Sequence, residues 1–294
     1  SSNVYYYSLA NEMGVDLIHE QLTPFGFGVK TEIDLEGEVT GLLPSTDWKR
    51  RYYKKPELQR WYAGETISLG IGQGYNNFTM LQMASATATL VSGGQRFKPR
   101  LVREIEDVVT GQRERVASDA LAPLPIQPEH AELIRKALHG VTQEGTSTRV
   151  FMGAPYASGG KTGTAQAIGV KAGEKYNAAK LEEHKRDHAL YIAAAPIEAP
   201  TVALAVIVEN AGWGSGSAAP IARRVFDYLL LGQYPSEEDM ALTRESKSSA
   251  PIGKPRVAAL MPLPGQPAAA ASAASSASAA SAAAAAAAPG AAPR

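Results

Sequence analysis

The segment Ala157-Ser158-Gly159-Gly160-Lys161-Thr162-Gly163-Thr164-Ala165-Gln166 decides the fold of this chain. It lies in a predicted strand that covers residues 156–167. Two nearly continuous apolar runs follow, at residues 188–195 and 201–209, and are typical of strands that helices cover on both faces. A last helix is predicted over residues 218–231. This order of elements predicts an α+β fold, with an antiparallel sheet flanked by helices.

The side chains of the first strand indicate a binding edge. Because side chains alternate along a strand, Lys161 and Gly163 face one way. Thr162 and Thr164 face the other, and their hydroxyls can hydrogen-bond a carboxylate that the lysine attracts. The glycine leaves room for an extended peptide to lie alongside as an added strand. On these residues alone, the alternative is a glycine-rich turn that enters a strand with a solvated lysine.

The first three residues, Ser1-Ser2-Asn3, form a second candidate motif. In a turn before a helix, Ser1 and Asn3 can point to the same side. The hydroxyl can then relay a proton, and the carboxamide can hold a substrate backbone. The triplet itself favours a simpler role, because Ser and Asn are preferred at helix N-caps. The two roles are compatible for Asn3.

A nucleophile motif of the form Ser-x-x-Lys occurs once, at Ser158 and Lys161. Such a motif works when its serine opens a helix, so that the two side chains lie one turn apart on one face. The two glycines between them, beside a predicted strand, disfavour that helix. We therefore reject Ser158 as a nucleophile.

Composition excludes several classes of function. The chain of 294 residues carries 29 basic and 29 acidic side chains, and this neutral balance does not indicate a nucleic-acid partner. It has no cysteine, which excludes a disulfide scaffold, thiolate metal sites and a thiol nucleophile. Its five histidines are scattered, so we predict neither a metal nor another cofactor.

Two local patterns could mislead. The basic cluster at residues 49–55 is interspersed with aromatic residues, but in a neutral chain a surface loop is favoured over an RNA-binding patch. The turn Gly70-Ile71-Gly72-Gln73-Gly74 follows a strand-like stretch, residues 66–69, and imitates a phosphate-binding loop. Its glycine spacing does not match a dinucleotide-binding loop.

Residues 1–235 are predicted to form one globular unit, and residues 236–294, rich in Pro, Ala and Ser, a disordered tail. The chain starts with Ser instead of Met and has no apolar run of membrane-spanning length, so we expect it to be a fragment. Within the globular unit, the sequence predicts helices at 4–13, 15–25, 79–91 and 128–141, a hairpin around Thr110-Gly111 and an irregular stretch at 29–65.

Taken together, the motifs resemble a known family. Lys-Thr-Gly and Ser-x-Asn are two of the three motifs of the penicillin-recognising enzymes. The further matching stretches are Gly70-Ile71-Gly72-Gln73-Gly74-Tyr75, Ala154-Pro155-Tyr156, Tyr176-Asn177-Ala178, Arg186-Asp187-His188 and Val208-Glu209-Asn210. Their order resembles the penicillin-binding protein 2 family, the elongation-type class B peptidoglycan D,D-transpeptidases of Gram-negative bacteria. The long charged segment at residues 169–187 favours the elongation type over the division type.

The resemblance implies a fold like that of penicillin-binding proteins and serine β-lactamases, with the N-terminal part of the domain missing from this chain. It implies an enzyme anchored in the inner membrane on its periplasmic side, which crosslinks peptidoglycan stem peptides through a serine acyl-enzyme and is the target of β-lactam antibiotics. It also implies partners in the cell-elongation complex, including a membrane-embedded glycan polymerase.

The same resemblance assigns roles to residues of this chain. Ser1 would relay a proton, Asn3 would hold the substrate amide and Lys161 would set the electrostatics around Ser1. The substrate-binding strand would comprise Thr162, Gly163 and Thr164, of which the two threonines hold the terminal carboxylate. The backbone N–H of Thr164 would supply one oxyanion donor.

Other readings share these motifs. Among enzymes, the alternative functions are those of a D,D-carboxypeptidase or a β-lactamase, in which water attacks the acyl-enzyme. Outside enzymes they are a non-catalytic sensor that binds β-lactams, or an interaction scaffold. Because the chain has no usable Ser-x-x-Lys motif, we predict that it is inactive by itself.

Overall fold

The computed structural model describes residues 2–168, 177–178 and 181–257. Within these ranges the helices are α1 (Asn3–Leu22), α2 (Thr46–Tyr52), α3 (Pro56–Gln59), α4 (Ala63–Leu69), α5 (Met80–Val91), α6 (Pro128–Gln143), α7 (Thr148–Phe151), α8 (Ala218–Leu231) and α9 (Glu237–Arg244). Short 3₁₀ turns cover Thr23–Phe25 and Glu183–Lys185. Over the described ranges, every helix is too short or too polar to cross a lipid bilayer.

The strands are antiparallel throughout the described part of the chain. They are β1 (Arg96–Phe97), β2 (Glu104–Glu106), β3 (Arg113–Arg115), β4 (Ala120–Leu121), β5 (Gly159–Ala165), β6 (His188–Ala195), β7 (Val202–Val208), β8 (Gln233–Tyr234) and β9 (Arg256–Val257). The central sheet has the order β5-β6-β7, while β1 pairs with β4, β2 with β3 and β8 with β9. The three predicted strands and the predicted hairpin are confirmed; β6 has the predicted ends, and the other strands are shorter than predicted.

Strand β6 carries the core because its small and aromatic side chains pack on both faces of the sheet. On one face, Ala189 and Tyr191 join a buried cluster with Phe226 of α8. On the other face, Ala194 forms a buried cluster with Val91 of α5. The partly buried side chain of Leu138, from α6, packs against this cluster. Helices therefore cover both faces of this strand, as its apolar run predicts.

Helix α1 combines the two helices predicted at residues 4–13 and 15–25. Its backbone breaks at Gly14, where φ is 73° and ψ is 160°, a conformation that glycine tolerates. A hydroxyl hydrogen bond from Thr23 to the carbonyl of His19, 2.7 Å long, closes the end of the helix. The predicted helices at 79–91, 128–141 and 218–231 are also present.

The prediction that residues 29–65 are irregular is wrong, because α2, α3 and the start of α4 lie there. Residues 66–69, which we predicted as strand-like, belong to α4. The hydroxyl of Ser45 accepts the Trp48 N–H at 3.0 Å and so caps α2. The carboxylate of Glu65 accepts the Tyr62 N–H at 2.9 Å at the start of α4. These caps order a stretch that its Gly and Pro content made look irregular.

The predicted tail begins too early. Residues 237–244 form α9 and residues 256–257 form β9, so 236–257 is folded and the prediction of disorder is wrong there. The cause is a buried ion pair between Asp239, 1% exposed, and Arg224 of α8, which fixes α9 to the domain. Residues 258–294 of the predicted tail lie outside the described residues.

Candidate active site

Strand β5 can lie close to its neighbours because it begins with two glycines. A Cβ at Gly160 would come within 2.5 Å of the phenol oxygen of Tyr191, and one at Gly159 within 2.8 Å of Ile197. Both distances are shorter than real Cβ contacts, so packing alone requires glycine at these positions. The pair therefore brings β5 onto the core, as the sequence predicts.

Lys161 is the charged group of this strand. It lies opposite Ile192 in the sheet register, while Thr162 lies opposite Tyr191, so the two side chains face opposite sides. The Lys161 ammonium is half-buried and donates to the carbonyl of Thr162 at 2.7 Å. Burial lowers its pKa below the usual lysine value, because removing water disfavours the charged form. The position therefore combines a cation with a raised tendency to release its proton.

The threonine side of β5 is supported from outside the motif. The hydroxyls of Thr162 and Thr146 lie 2.9 Å apart, and either can donate. Thr146 lies between α6 and α7, and no local pattern in the sequence marks it as a site residue.

Because a Cβ at Gly163 would come 3.2 Å from the Cβ of Leu190, a side chain there would crowd the sheet.

A cleft of about 690 Å³ opens at Thr164. The loop before α8 forms one wall, because Gly214 packs so closely on β5 that a Cβ there would lie 2.6 Å from the Gly163 carbonyl oxygen. This packing leaves Trp213 on the cleft wall with 75% of its surface exposed. Trp213 therefore lines the cleft instead of covering the core. Ser246, from beyond α9, lines the same cleft.

Two of the matching sequence stretches meet beside this cleft. The Asn210 N–H donates to the Nδ1 of His188 at 3.0 Å, and its side-chain amide donates to the Arg186 carbonyl at 2.8 Å. Asn210 has φ of 57°, a left-handed conformation that Asn adopts more readily than most residues. These bonds join the start of β6 to the end of β7, next to Thr164.

Of the N-terminal candidates, Ser1 lies outside the described residues. Asn3 is exposed and is the first residue of α1, while Ser2 occupies the N-cap without a side-chain capping bond. Capping, the simpler alternative for this triplet, is therefore not made by the serine at the cap. Helix α1 is positioned by the turn after α4, since a Cβ at Gly70 would collide with the Tyr6 carbonyl and with Ala10. The Gly70 turn thus serves packing in this structure.

A buried lysine lies behind that turn, although we predicted the basic cluster at residues 49–55 as a surface loop. Lys49 is only 3% exposed, and its ammonium contacts the Glu65 carboxylate at 2.5 and 2.6 Å and the Arg60 carbonyl at 2.9 Å. The ammonium also lies 5.3–6.0 Å from four aromatic ring centroids, within the range of cation–π attraction. We define the Lys49 cluster as Lys49, Tyr53, Trp61, Tyr62, Glu65 and Tyr75.

The electrostatics of the Lys49 cluster favour the ionised pair. Burial alone would raise the pKa of Glu65, but hydrogen bonds from Lys49, the Tyr62 N–H and the Tyr75 hydroxyl together lower it. The pKa of Tyr75 is raised, mainly by its hydrogen bond with Tyr53, then by burial and by Glu65. At neutral pH the cluster therefore holds the Glu65 carboxylate ionised beside Lys49, and it ties α2 to α4, on which α1 rests.

The geometry around Ser158 agrees with its rejection as a nucleophile. Its side chain is 2% exposed, and it precedes strand β5 instead of opening a helix. Its carbonyl accepts the Thr142 hydroxyl at 2.7 Å and lies 2.8 Å from the Nδ1 of His139. The residue fixes α6 to β5 and is closed to a substrate.

Comparison with known proteins gives a consistent result. The penicillin binding protein transpeptidase domain family matches residues 1–227. Peptidoglycan D,D-transpeptidase MrdA of Haemophilus influenzae is 40% identical over 242 residues, which cover 81% of this chain and 36% of that protein. The chain therefore spans about a third of the length of this relative.

Solved structures agree as well. Penicillin-binding protein 2 of Pseudomonas aeruginosa, in complex with WCK 5153, superposes with a TM-score of 0.64 at 34% identity, covering 80% of this chain and 46% of that one. A peptidoglycan synthase complex, solved to explain how polymerization and crosslinking are coordinated, contains a chain with a TM-score of 0.60 at 29% identity, covering 76% and 35%. The α+β transpeptidase fold and the resemblance to penicillin-binding protein 2 are confirmed. This chain belongs to the penicillin-binding protein transpeptidase domain family.

Proposed function

We propose that this chain is the C-terminal part of the transpeptidase domain of a peptidoglycan D,D-transpeptidase. The observation that carries the proposal is strand β5, which places Lys161-Thr162-Gly163-Thr164 on the outer strand of the described sheet, beside an open cleft. An outer strand offers unpaired backbone groups to which an extended peptide can add. The matching family and the MrdA relative support the same activity.

The reaction we propose runs in two steps. A serine from a Ser-x-x-Lys motif upstream of Ser1 attacks the carbonyl between the two terminal D-Ala residues of a stem peptide. The tetrahedral intermediate carries its negative charge on the oxygen, which the Thr164 N–H stabilises. Its collapse breaks the peptide bond, and the leaving D-Ala amine takes the proton that the serine hydroxyl gave up, relayed by Ser1. An amine of a neighbouring stem then attacks the ester, forms the crosslink and returns the serine to its free form.

The residues of β5 divide the binding work. Thr162 and Thr164 donate hydrogen bonds to the terminal carboxylate, and the Thr146 hydroxyl, 2.9 Å from that of Thr162, holds the first of them in place. Asn3 holds the substrate amide. Lys161 supplies positive charge, and its lowered pKa lets it exchange a proton with Ser1 more readily than a solvated lysine would.

Partners and location follow from the same proposal. Stem peptides are the substrates, and β-lactams acylate the same serine. The partners are a membrane-embedded glycan polymerase and other proteins of the elongation complex. The peptidoglycan synthase complex, one chain of which is similar to this chain, supports this proposal. The enzyme acts on the periplasmic side of the inner membrane.

The first experiment compares two proteins: this chain of 294 residues, and the longer protein that carries it behind a Ser-x-x-Lys motif. Each is incubated with penicillin, and its intact mass is measured. We expect one persistent adduct on the longer protein and none on the chain, because Ser158 is buried. No adduct on either would indicate a scaffold, and an adduct on the chain would place the nucleophile within it.

A second measurement separates transpeptidation from D,D-carboxypeptidation. The longer protein is given a stem-peptide donor with and without an acceptor amine. We expect a crosslinked product when the amine is present. Release of D-Ala with only the hydrolysed acid, at any amine concentration, would identify a carboxypeptidase.

A further inference from the structure

The fold continues past the residues that the family model matches. The family match ends at residue 227, whereas the described structure continues to residue 257. We define the C-terminal extension as residues 233–257, which contain β8, α9 and β9. Because β8 and β9 pair with each other, the extension is a closed loop whose two ends meet beside the end of α8.

A buried ion pair fixes the extension to α8. Arg224 binds Asp239 with two hydrogen bonds, 3.0 Å from Nε and 2.5 Å from Nη2, and donates a third, 2.6 Å long, to the Ser249 carbonyl. Both charged side chains are less than 10% exposed. A two-pronged contact between arginine and carboxylate restricts orientation as well as distance. Helix α9 is therefore held in one position on the domain.

The base of the loop is closed separately. The Nε of Arg256 donates to the Pro235 carbonyl at 2.8 Å, and its guanidinium lies 5.0 Å from the centroid of the Tyr234 ring. The hydroxyl of Ser236 donates to the Ile252 carbonyl at 2.9 Å. The extension is thus tied at its base and along α9, which leaves little freedom for the turn after α9.

That turn reaches the cleft at Thr164. The Ser246 N–H donates to the Thr243 carbonyl at 3.1 Å, and the Lys247 N–H donates to the Leu242 carbonyl at 2.9 Å. This is the pattern of a Schellman helix end, in which the residue at Ser246 is normally glycine. Ser246 holds a left-handed φ of 55° instead, and it lines the same cleft as Thr164 and Trp213.

The direction of the substrate follows from the proposed function, on which this inference rests. If the terminal carboxylate lies at Thr162 and Thr164 and the peptide adds antiparallel to β5, its preceding residues run past Thr164 toward Ala165. The cleft lies at that end of the strand. The group it receives is therefore the acyl-side substituent: the stem residue before the two D-Ala residues, or the acylamino group of a β-lactam.

We propose that the C-terminal extension is a wall of the substrate cleft and that Ser246 is a specificity-determining residue for the acyl-side substituent. Ser246 lines the cleft together with Trp213. Its small hydroxyl side chain admits a bulky substituent, and a larger side chain narrows the opening. The extension lies beyond residues 1–227, so the proposed selectivity comes from residues outside the family model.

The test uses the longer protein with Ser246→Asn and Ser246→Gly. Both residues tolerate the left-handed backbone, so both variants keep the turn. Ser249→Gly, at an exposed position of the same extension that offers Arg224 only its carbonyl, is the matched control. The measured quantity is the second-order rate constant of acylation by penicillin, with its bulky acylamino group, and by 6-aminopenicillanic acid, which has none.

We expect Ser246→Asn to lower the penicillin rate constant about tenfold, the scale of one misplaced small group in a pocket. The rate constant for 6-aminopenicillanic acid should stay within about twofold, and Ser246→Gly and Ser249→Gly should not lower either. An unchanged ratio of the two rate constants in Ser246→Asn would overturn the inference, as would an equal fall in both. If the wild-type longer protein is acylated by neither compound, the proposed function fails instead, which is a distinct result.

Discussion

Two lysines in two regions of this domain show how the same side chain can serve the fold or the site. Lys49 is buried behind the Gly70 turn, where a carboxylate, a carbonyl and four aromatic rings surround its ammonium. Lys161 is half-buried on the outer strand of the sheet, and burial lowers its pKa. Only the second lies in the Lys-Thr-Gly motif.

The difference lies in how each site balances the cost of removing an ammonium from water. At Lys49 the facing carboxylate of Glu65 is held ionised, because hydrogen bonds outweigh the burial that would neutralise it. At Lys161 burial lowers the pKa, so the folded state disfavours the charged form. The Lys49 ammonium therefore contributes to the fold through an ionised carboxylate, whereas the lowered pKa of Lys161 is typical of a functional site.

The largest effect is expected from Lys49→Met. The substitution removes the cation and leaves the carboxylate of Glu65 without its main partner inside the domain. Breaking a buried ion pair on one side costs roughly 3–5 kcal/mol, a large part of the roughly 5–15 kcal/mol that stabilises a typical domain. We expect the denaturant midpoint of the chain to fall sharply, measured by circular dichroism.

Lys54→Met is the matched control, because Lys54 belongs to the same basic cluster but is exposed. Its midpoint should stay close to that of the unsubstituted chain. Equal losses for the two variants would mean that burial and pairing do not distinguish Lys49, and the comparison between the two lysines would lose its basis.

Lys161→Met should have the opposite profile. In the longer protein we expect penicillin acylation to slow by about 10²-fold, the scale of losing one electrostatic group in an active site. Thermal stability should be unchanged or slightly higher, because at neutral pH the folded state gains when a disfavoured charge is removed. Lys161→Arg keeps the charge and should retain stability while restoring only part of the rate, since a guanidinium does not exchange protons near neutral pH. A large loss of stability in Lys161→Met would assign this lysine to the fold.

The sequence predicted the central sheet because its signals are local. The apolar runs of β6 and β7 and the glycines before β5 can be recognised within a few residues, and so can the Lys-Thr-Gly motif. The elements that sequence analysis missed depend on pairs of distant residues. Lys49 and Glu65 are 16 positions apart, and they order α2 and α4 only once they meet. Arg224 and Asp239 are 15 positions apart and fix α9 in the same way.

The residues of the candidate site show the same difference between local sequence signals and long-range contacts. The residues of β5 were found because they form a contiguous motif. Thr146 and Ser246 reach the site only through tertiary packing, and nothing in their neighbouring residues marks them. Contacts made across the fold, which no local pattern encodes, account for both misses.

The smallest expected effect is a pH dependence that separates the two lysines. The pKa of Glu65 is lowered in the folded state, so its pairing with Lys49 contributes stability above the unfolded value of about 4.3 and loses it as pH falls through the lower folded value. The lowered pKa of Lys161 affects stability on the alkaline side. The free-energy cost of its charge in the folded state is present at neutral pH and disappears as pH rises toward the unfolded pKa of about 10.4. Acid should therefore loosen the Lys49 cluster and leave the Lys161 strand unaffected.

Tryptophan fluorescence can follow this directly, because the chain has three tryptophans and Trp213→Phe leaves only Trp48 and Trp61. Both remaining rings lie within 6 Å of the Tyr75 ring, measured between centroids at 5.2 and 5.9 Å. We expect their emission to shift as pH falls below about 4.3 in this background and the shift to weaken when Glu65→Gln is added. Other carboxyls with lowered pKa values, such as Asp34 and Glu38, remain in both proteins, so the difference between the two titrations isolates Glu65. Identical titrations would show that the Lys49–Glu65 pair does not govern the acid response, and the contrast between a lysine of the fold and a lysine of the site would then rest on Lys161 alone.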